Sequence, residues 1–400
     1  MLGEARIAEQ NSGSEAGRPS PRRRVAFFGH DAADAAVRRR VQGFFDDGLS
    51  VQGFMMRRGE DTPTAWDNID LGETQDGAFV QRVRRIFSGA RIAAAHRDAL
   101  AAADVIYARN LDMLACAFLA KRHAHLATPV IYESLDIHRL LTRKDLIGKA
   151  MRWLEGALLR RTKGLVVSSP AYLRNHFEPH YAGTYTAALV ENRLATGADY
   201  GPRPKGAAPL ANGRLRLGWV GVLRCQRSFD LLCALADRFP DTLEIHLHGL
   251  PARSEIAVFE PEIDARANMT YHGRYRSPED LAGIYAGLDL VWAGDFMEAG
   301  FNSVWLLPNR IYEGGYYATP AIAPAGTETA AWVEARRAGF VLAEPLDDSL
   351  AGLVSDLLAD PRPLADRAAR LAGLPASDFV QPNGFLAGML EGFLLKEAAA

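Results

Sequence analysis

Three cysteines in 400 residues, Cys116, Cys225 and Cys233, are too few and too scattered for a disulfide framework or a zinc cluster. They are expected to be ordinary thiols in a reducing cytoplasm. Long apolar runs are missing too: no stretch of about eighteen or more residues is apolar enough to span a bilayer. The N-terminus is polar through "RPSPRRR" and has no apolar signal region, so residues 1–21 are expected to form a disordered arm and export is not expected. Chemical signatures are absent as well. The turn after the first strand, in "VAFFGHDAADAAVRRRVQGF", lacks the G-x-G-x-x-G that lets a backbone approach a dinucleotide, which disfavours a nicotinamide dehydrogenase. There is no G-x-x-x-x-G-K-[ST] loop, no G-x-S-x-G elbow and no close His/Asp/Glu set with metal-ligand spacing. P-loop, hydrolase and metalloenzyme readings lose support, and no metal, cofactor or nucleic-acid partner is expected.

What is present is a globular composition, 48% hydrophobic and 24% charged, in a chain long enough for two cores. Short apolar runs alternate with helical stretches. In the first half these runs are "RVAFFG" (24–29), "LSVQGFMM" (49–56), "ADVIYAR" (103–109), "TPVIYES" (128–134), "GLVVSS" (164–169) and "AALVEN" (187–192). A Gly-, Pro- and Ala-rich stretch, "GADYGPRPKGAAPLANG", then reads as a linker. The pattern restarts with "LRLGWVG" (215–221), "LEIHLHG" (243–249), "MTYHG" (269–273), "DLVWAG" (289–294), "TPAIAP" (319–324) and "GFVLAE" (339–344). The expectation is α/β, with two Rossmann-like parallel-sheet domains over 22–200 and 214–377 joined by a linker at 201–213. The apolar segment 378–400 is too sticky for a free tail.

Charge divides the chain. Residues 1–200 hold 28 Lys and Arg against 23 Asp and Glu, whereas residues 201–400 hold 18 against 25. The basic half carries "RVRRIFSGAR" at 82–91 and "RKDLIGKAMRWLEGALLRR" at 143–161, both with apolar residues at helical spacing. Such faces suit peripheral contact with an anionic membrane, and equally the solvated side of surface helices.

Ligands of open parallel sheets bind beyond the carboxyl ends of the strands. At that place "GWVGVLRCQRSFDLL" (218–232) ends a strand at Gly221, offers Arg224 and Arg227 on a short loop, and starts a helix. Helix N–H groups and two guanidinium groups make a diphosphate site; two solvated loop arginines are the plainer alternative.

Taken in order, "GWVGVLRCQRS", "YHGRYRSPEDLAGIYAGLDLVWAG" and "LPNRIYEGGYYATPAIAPAGTETAAWVEARRAGFVL" resemble the C-terminal domain of family 4 glycosyltransferases of the GT-B fold. Within that family they are most similar to bacterial exopolysaccharide enzymes of the succinoglycan-biosynthesis type. "VENRLATGADY" looks like the family's strand ending in Asn before the second domain. The resemblance covers the ordered chain and is most specific over 215–345.

The resemblance implies two Rossmann-like domains facing a cleft, with the last helix, 378–400, returning to the N-terminal domain. It also implies metal-independent, retaining transfer of a sugar from a nucleotide sugar, UDP- or GDP-linked, to a hydroxyl acceptor such as a lipid-linked oligosaccharide. Arg224 and Arg227 would stabilise the departing diphosphate, and Glu313 would take ribose hydroxyls. As a bare helix-terminal acid, Glu313 could instead favour the macrodipole. Asn309 and Arg310 match phosphate-proximal residues, with a capping role for Asn309 equally open. Asn302 and Ser303 are candidates for sugar or phosphate contacts, and Gly326 with Thr327 lies where relatives approach the donor.

Departures from the family pattern are informative. Trp305 stands where a sugar-contacting Glu is usual, leaving Asp295 and Glu298 as nearby acids. Thr319 replaces a usual Gly. In the N-terminal domain, Leu135 replaces the usual His before Asp136, so Gly29, Glu133, Asp136 and His138 remain candidates for the acceptor cleft, and no general base is assigned. Arg38–Arg40 would face acceptor phosphate or solvent, while His246 and His248 would pack rather than react. Alternatives on the same scaffold are a nucleotide-sugar epimerase or phosphorylase, and a degenerate binding subunit.

Overall fold

A computed structural model describes residues 23–59, 63–74, 79–205, 210, 213–298 and 300–395. The expected arm at 1–21 lies outside these, as do parts of the linker and residues 396–400. The chain divides into two compact units. One contains residues 1–191, 195–197 and 382–400, the other residues 192–194 and 198–381.

The first unit holds a seven-stranded, wholly parallel sheet: β1 (Arg24–Gly29), β2 (Ser50–Arg57), β3 (Asp67–Glu73), β4 (Val105–Arg109), β5 (Val130–Ser134), β6 (Gly164–Val167) and β7 (Ala187–Leu189), in the order β3-β2-β1-β4-β5-β6-β7. Near-continuous apolar runs such as "VIYAR" are buried on both faces, as helix-covered parallel strands require. The sequence reading lacked β3, "DNIDLGE". It is an edge strand, partly solvated, so its acids are tolerated and its apolar signal is weak. "AALVEN" contributes only Ala187–Leu189 to a strand.

The helix Phe385–Leu395 belongs to this unit. Leu386, Leu390 and Phe393 join the core with Val37 and Phe44. Asp47 caps it across the chain, its carboxylate accepting from the N–H groups of Gly384, Leu386 and Ala387 at 2.6 to 3.0 Å. Gly164 leaves room for Phe393, because a Cβ there would lie 2.4 Å from the ring.

The second unit holds β8 (Leu215–Leu223), β9 (Leu243–Pro251), β10 (Met269–Tyr271), β11 (Leu290–Trp292), β12 (Ala321–Pro324) and β13 (Gly339–Leu342), parallel throughout and in the order β10-β9-β8-β11-β12-β13. All six strands read from the sequence occur. Strand order reverses between β8 and β11, and this switch point is where such sheets bind ligands. No helix among the described residues is long and apolar enough to cross a membrane.

Candidate functional site

The carboxyl end of the second sheet carries a ledge of bare backbone. Gly221 of β8 and Gly249 of β9 are paired, with φ of 120° and 135°. A Cβ on Gly249 would lie 1.7 Å from the Gly221 carbonyl oxygen, so only glycine fits. The Gly249 N–H donates to the Gly273 carbonyl at 2.8 Å, extending the ledge towards β10. Gly221 does not end its strand: β8 continues to Leu223, leaving Val222 and Leu250 exposed on the lip. The sequence reading missed Gly249 and Gly273. Their signal was the His-Gly pair that closes both "LEIHLHG" and "MTYHG".

Three arginines converge on this end of the sheet. Helix Gln226–Arg238 starts beside Gly221, has no acid in its first turn, and is capped only by the Cys225 thiol, which accepts from the Ser228 N–H at 3.4 Å. Its positive pole is therefore little offset. Arg224 leads into it and meets Asp295 at 3.2 Å. Arg227, on the first turn, holds both oxygens of Glu344 at 2.7 and 2.8 Å and lies over the Phe296 ring at 4.4 Å. Both arginines are half-exposed.

Arg310 is different. It is 7% exposed and donates from Nη1 to the Val220 carbonyl at 3.2 Å and from Nη2 to the Gly294 carbonyl at 3.5 Å, spanning the switch point between β8 and the end of β11. Its Nε has no partner among the described residues. Burial draws its pKa down, partly opposed by Asp295.

Asp295 sits in the loop after β11. Burial would raise its pKa, but Arg224, the Met297 N–H and Arg310 outweigh that and hold it below the ordinary carboxylate range. Ser303 donates to Asp295 at 3.1 Å and accepts from the Glu298 N–H at 2.8 Å, which ties the loop together. Asn302 is buried at the start of the short helix Asn302–Trp305.

The helix Asn309–Tyr316 carries Arg310 and Glu313 on its buried side. Pro308 occupies the cap position and makes no side-chain cap bond, so Asn309 is the helix's first residue rather than its cap. Glu313 is 2% exposed and accepts from the Tyr285 hydroxyl at 3.1 Å. Gly326 turns the chain at φ 78°, and Thr327 caps helix Glu328–Arg336 by accepting from the Ala330 N–H at 3.0 Å.

In the first unit, Gly29 ends β1 and is buried against Met55. Asp136 and His138 are exposed beyond β5, with His138 Nδ1 accepting from the Leu140 N–H at 3.2 Å. Two expectations need correction. Glu133 is fully buried between Arg40 at 2.9 Å and Arg109 at 2.7 Å, and Arg40 also donates to the Val190 carbonyl at 3.2 Å. These groups form an internal ion triad buried from solvent. Arg38 is engaged by the carbonyls of Ala32 and Pro63. A pair the sequence reading passed over is His30 and Asp34, 3.8 Å apart at the carboxyl end of β1.

No family model matches the chain. It is 37% identical over 354 residues to the succinoglycan biosynthesis protein ExoL of Rhizobium meliloti, a match that spans 87% of each chain. The chain belongs to the ExoL family of exopolysaccharide glycosyltransferases. Among solved structures this glycosyltransferase is similar to HepE of Anabaena in complex with UDP and glucose, with a TM-score of 0.67 and 15% identity over 94% of this chain and 100% of that one. It is likewise similar to sucrose-phosphate synthase of Thermosynechococcus elongatus, with a TM-score of 0.65 and 16% identity over 95% and 100%. At such identities these likenesses establish the GT-B fold.

Chemically, the second unit of the glycosyltransferase offers three arginines and helix N–H groups at the carboxyl end of a sheet that has a side-chain-free ledge. Such a combination suits the binding of an anion.

Proposed function

We propose that the glycosyltransferase uses a UDP-linked sugar and transfers it, with retention of configuration, to a hydroxyl of a lipid-linked oligosaccharide. The observation that carries the donor half is the gathering of Arg224, Arg227 and Arg310 around the loop after β11, Arg224 on Asp295, Arg227 over Phe296 and Arg310 on the carbonyls of Gly294 and Val220 beside the Gly221–Gly249 ledge. The guanidinium groups take the diphosphate, the ledge lets it approach the backbone, and Asn302, Ser303, Asn309, Gly326 and Thr327 line the approach. Glu313 takes a ribose hydroxyl alongside the bond that its Oε2 accepts from Tyr285. UDP is favoured over GDP by the ligands of HepE.

Acceptor handling falls to Gly29, Asp136 and His138 in the first unit. A lipid carrier and peripheral membrane contact find support in helix Leu146–Leu159, which exposes Leu146 by 79% and Trp153 by 72% beside the exposed Arg143, Lys144 and Lys149. Exposed apolar side chains next to cations suit the interface of an anionic membrane.

Calorimetric titration with UDP, GDP and their glucose conjugates tests the donor reading. UDP should bind to the wild type, and the Arg224→Ala and Arg227→Ala variants should each weaken that binding. Binding that is absent, or indifferent to both changes, defeats it. Mass spectrometry with polyprenyl-linked acceptors then tests the acceptor, and proton NMR of the product's anomeric centre tests retention.

A further inference from the structure

The geometry points to Asp295 as the group that reads a hydroxyl of the donor sugar, an inference that rests on the donor site proposed above. Asp295 lies directly after β11, beside the switch point, and its two oxygens are held very differently. Oδ1 is fixed, accepting from the Met297 N–H at 3.0 Å and from the Ser303 hydroxyl at 3.1 Å. Among the described residues Oδ2 receives only Arg224, from Nη2 at 3.2 Å and from Nε at 3.4 Å.

Those are long contacts for a charge-assisted pair, which ordinarily closes to about 2.7–2.9 Å. The same unit contains the ordinary case: Arg216 grips Asp289 at 2.8 Å from Nη2 and 3.1 Å from Nε, and the Arg216 backbone N–H adds a third bond at 2.9 Å. Arg224 is also half-exposed, so it can turn to a stronger anion without unfolding anything.

A diphosphate is that anion. When Arg224 moves onto it, Oδ2 of Asp295 loses its donor while Oδ1 keeps the carboxylate in place. A buried carboxylate oxygen left without a donor is unfavourable. The sugar ring hangs from the terminal phosphate through its anomeric oxygen, so its hydroxyls arrive next to the guanidinium that holds that phosphate. One of them donates to Oδ2. Bare UDP brings no such hydroxyl, so the interaction separates the donor from the product nucleotide and one sugar epimer from another.

The test is calorimetric titration of UDP, UDP-glucose and UDP-galactose into the full chain, for the wild type, Asp295→Asn, Asp295→Glu and Ser303→Ala, with folding checked by thermal melting. Asp295→Asn should weaken the better-bound UDP-sugar by about 10- to 100-fold, the scale for a hydrogen bond to a charged group, while leaving UDP within about threefold. It should also narrow the preference between the two epimers. Asp295→Glu should restore part of the loss. Ser303→Ala, which loosens Oδ1 but keeps the charge, should give a smaller loss in the same direction and covers the case in which Asp295→Asn melts early. Equal weakening of UDP and UDP-sugar in Asp295→Asn would show that Asp295 only holds Arg224, and unchanged binding of both would show that it touches nothing; either overturns the inference. A wild type that binds none of the three nucleotides overturns the donor site itself.

Discussion

Arg227 closes on Glu344 through a single amino group, Nη2, which lies 2.7 Å from one carboxylate oxygen and 2.8 Å from the other. The two residues stand 117 positions apart in the chain. A carboxylate in this geometry mimics one edge of a phosphate, so Glu344 and a donor diphosphate compete for the same guanidinium. Glu344→Gln should therefore tighten UDP binding by roughly 2- to 10-fold, since the exposed pair is itself worth only about 1 kcal/mol or less. Titration calorimetry checks this, and weaker binding in the variant would mean that Glu344 orients Arg227 instead.

Arg310 should matter for nucleotide binding far more than for folding. It is a buried cation with an unpartnered Nε, drawn below its ordinary pKa by burial, and replacement by an apolar side chain of similar length removes an unfavourable charge. Arg310→Met should keep its melting temperature within about 5 °C of the wild type, equivalent to roughly 1 to 2 kcal/mol for a unit of about 200 residues. UDP affinity should fall at least about tenfold. A large loss of stability with normal binding would assign Arg310 to the core.

The triad of Glu133, Arg40 and Arg109 makes the opposite prediction. Removing the carboxylate leaves two buried arginines facing each other, and breaking a buried pair in this way costs about 3–5 kcal/mol. Urea unfolding of Glu133→Gln should register that loss. Burial would raise the Glu133 pKa, but Arg109 and Arg40 overcome it and hold it below the ordinary 4.5. The contribution is therefore complete above pH 4.5 and disappears as pH falls through the lowered value, so the difference between wild type and variant should shrink in acid.

His248 is stacked on His272 with ring centroids 4.2 Å apart, and His246 Nδ1 lies 3.0 Å from His272 Nε2. Burial, then the neighbouring His272 and His246, lower the His248 pKa from 6.5 to about 4. The folded state thus resists a proton that the unfolded chain accepts below pH 6.5. Stability should fall as pH drops from 6.5 towards 4, and His248→Phe should flatten that slope in melting curves. Glu244 and Arg216, which act on His246 with opposite sign, and Glu279 and Asp280, which line the same 540 Å³ cavity, remain in the variant. An unchanged slope would place the titration elsewhere.

For membrane contact, Trp153→Glu and Leu146→Glu should each reduce sedimentation with vesicles containing phosphatidylserine and leave UDP binding untouched. Each replaces an exposed apolar group with a charge that anionic lipid repels. Equal sedimentation of wild type and variants would remove this face from consideration.

By itself the sequence determined the architecture. Buried parallel strands must be apolar on both faces, so "RVAFFG", "VIYAR" and "LRLGWVG" announce themselves within a few residues, and only the edge strand Asp67–Glu73, which is allowed its acids, stayed hidden. The arginines near Gly221 were legible for the same local reason, since strand, loop and helix start are contiguous there. Tertiary structure alone decided what each charge does. Glu133 and Arg40, 93 positions apart, looked like cleft residues until the fold buried them against each other. Asp295 and Glu344 acquired their arginines from segments 71 and 117 positions away, and Arg310 reached the carbonyl of Val220 across 90. An ion pair leaves no periodicity in either partner's neighbourhood. Its existence depends on which strands the topology sets side by side, and that is settled only when the sheet is assembled.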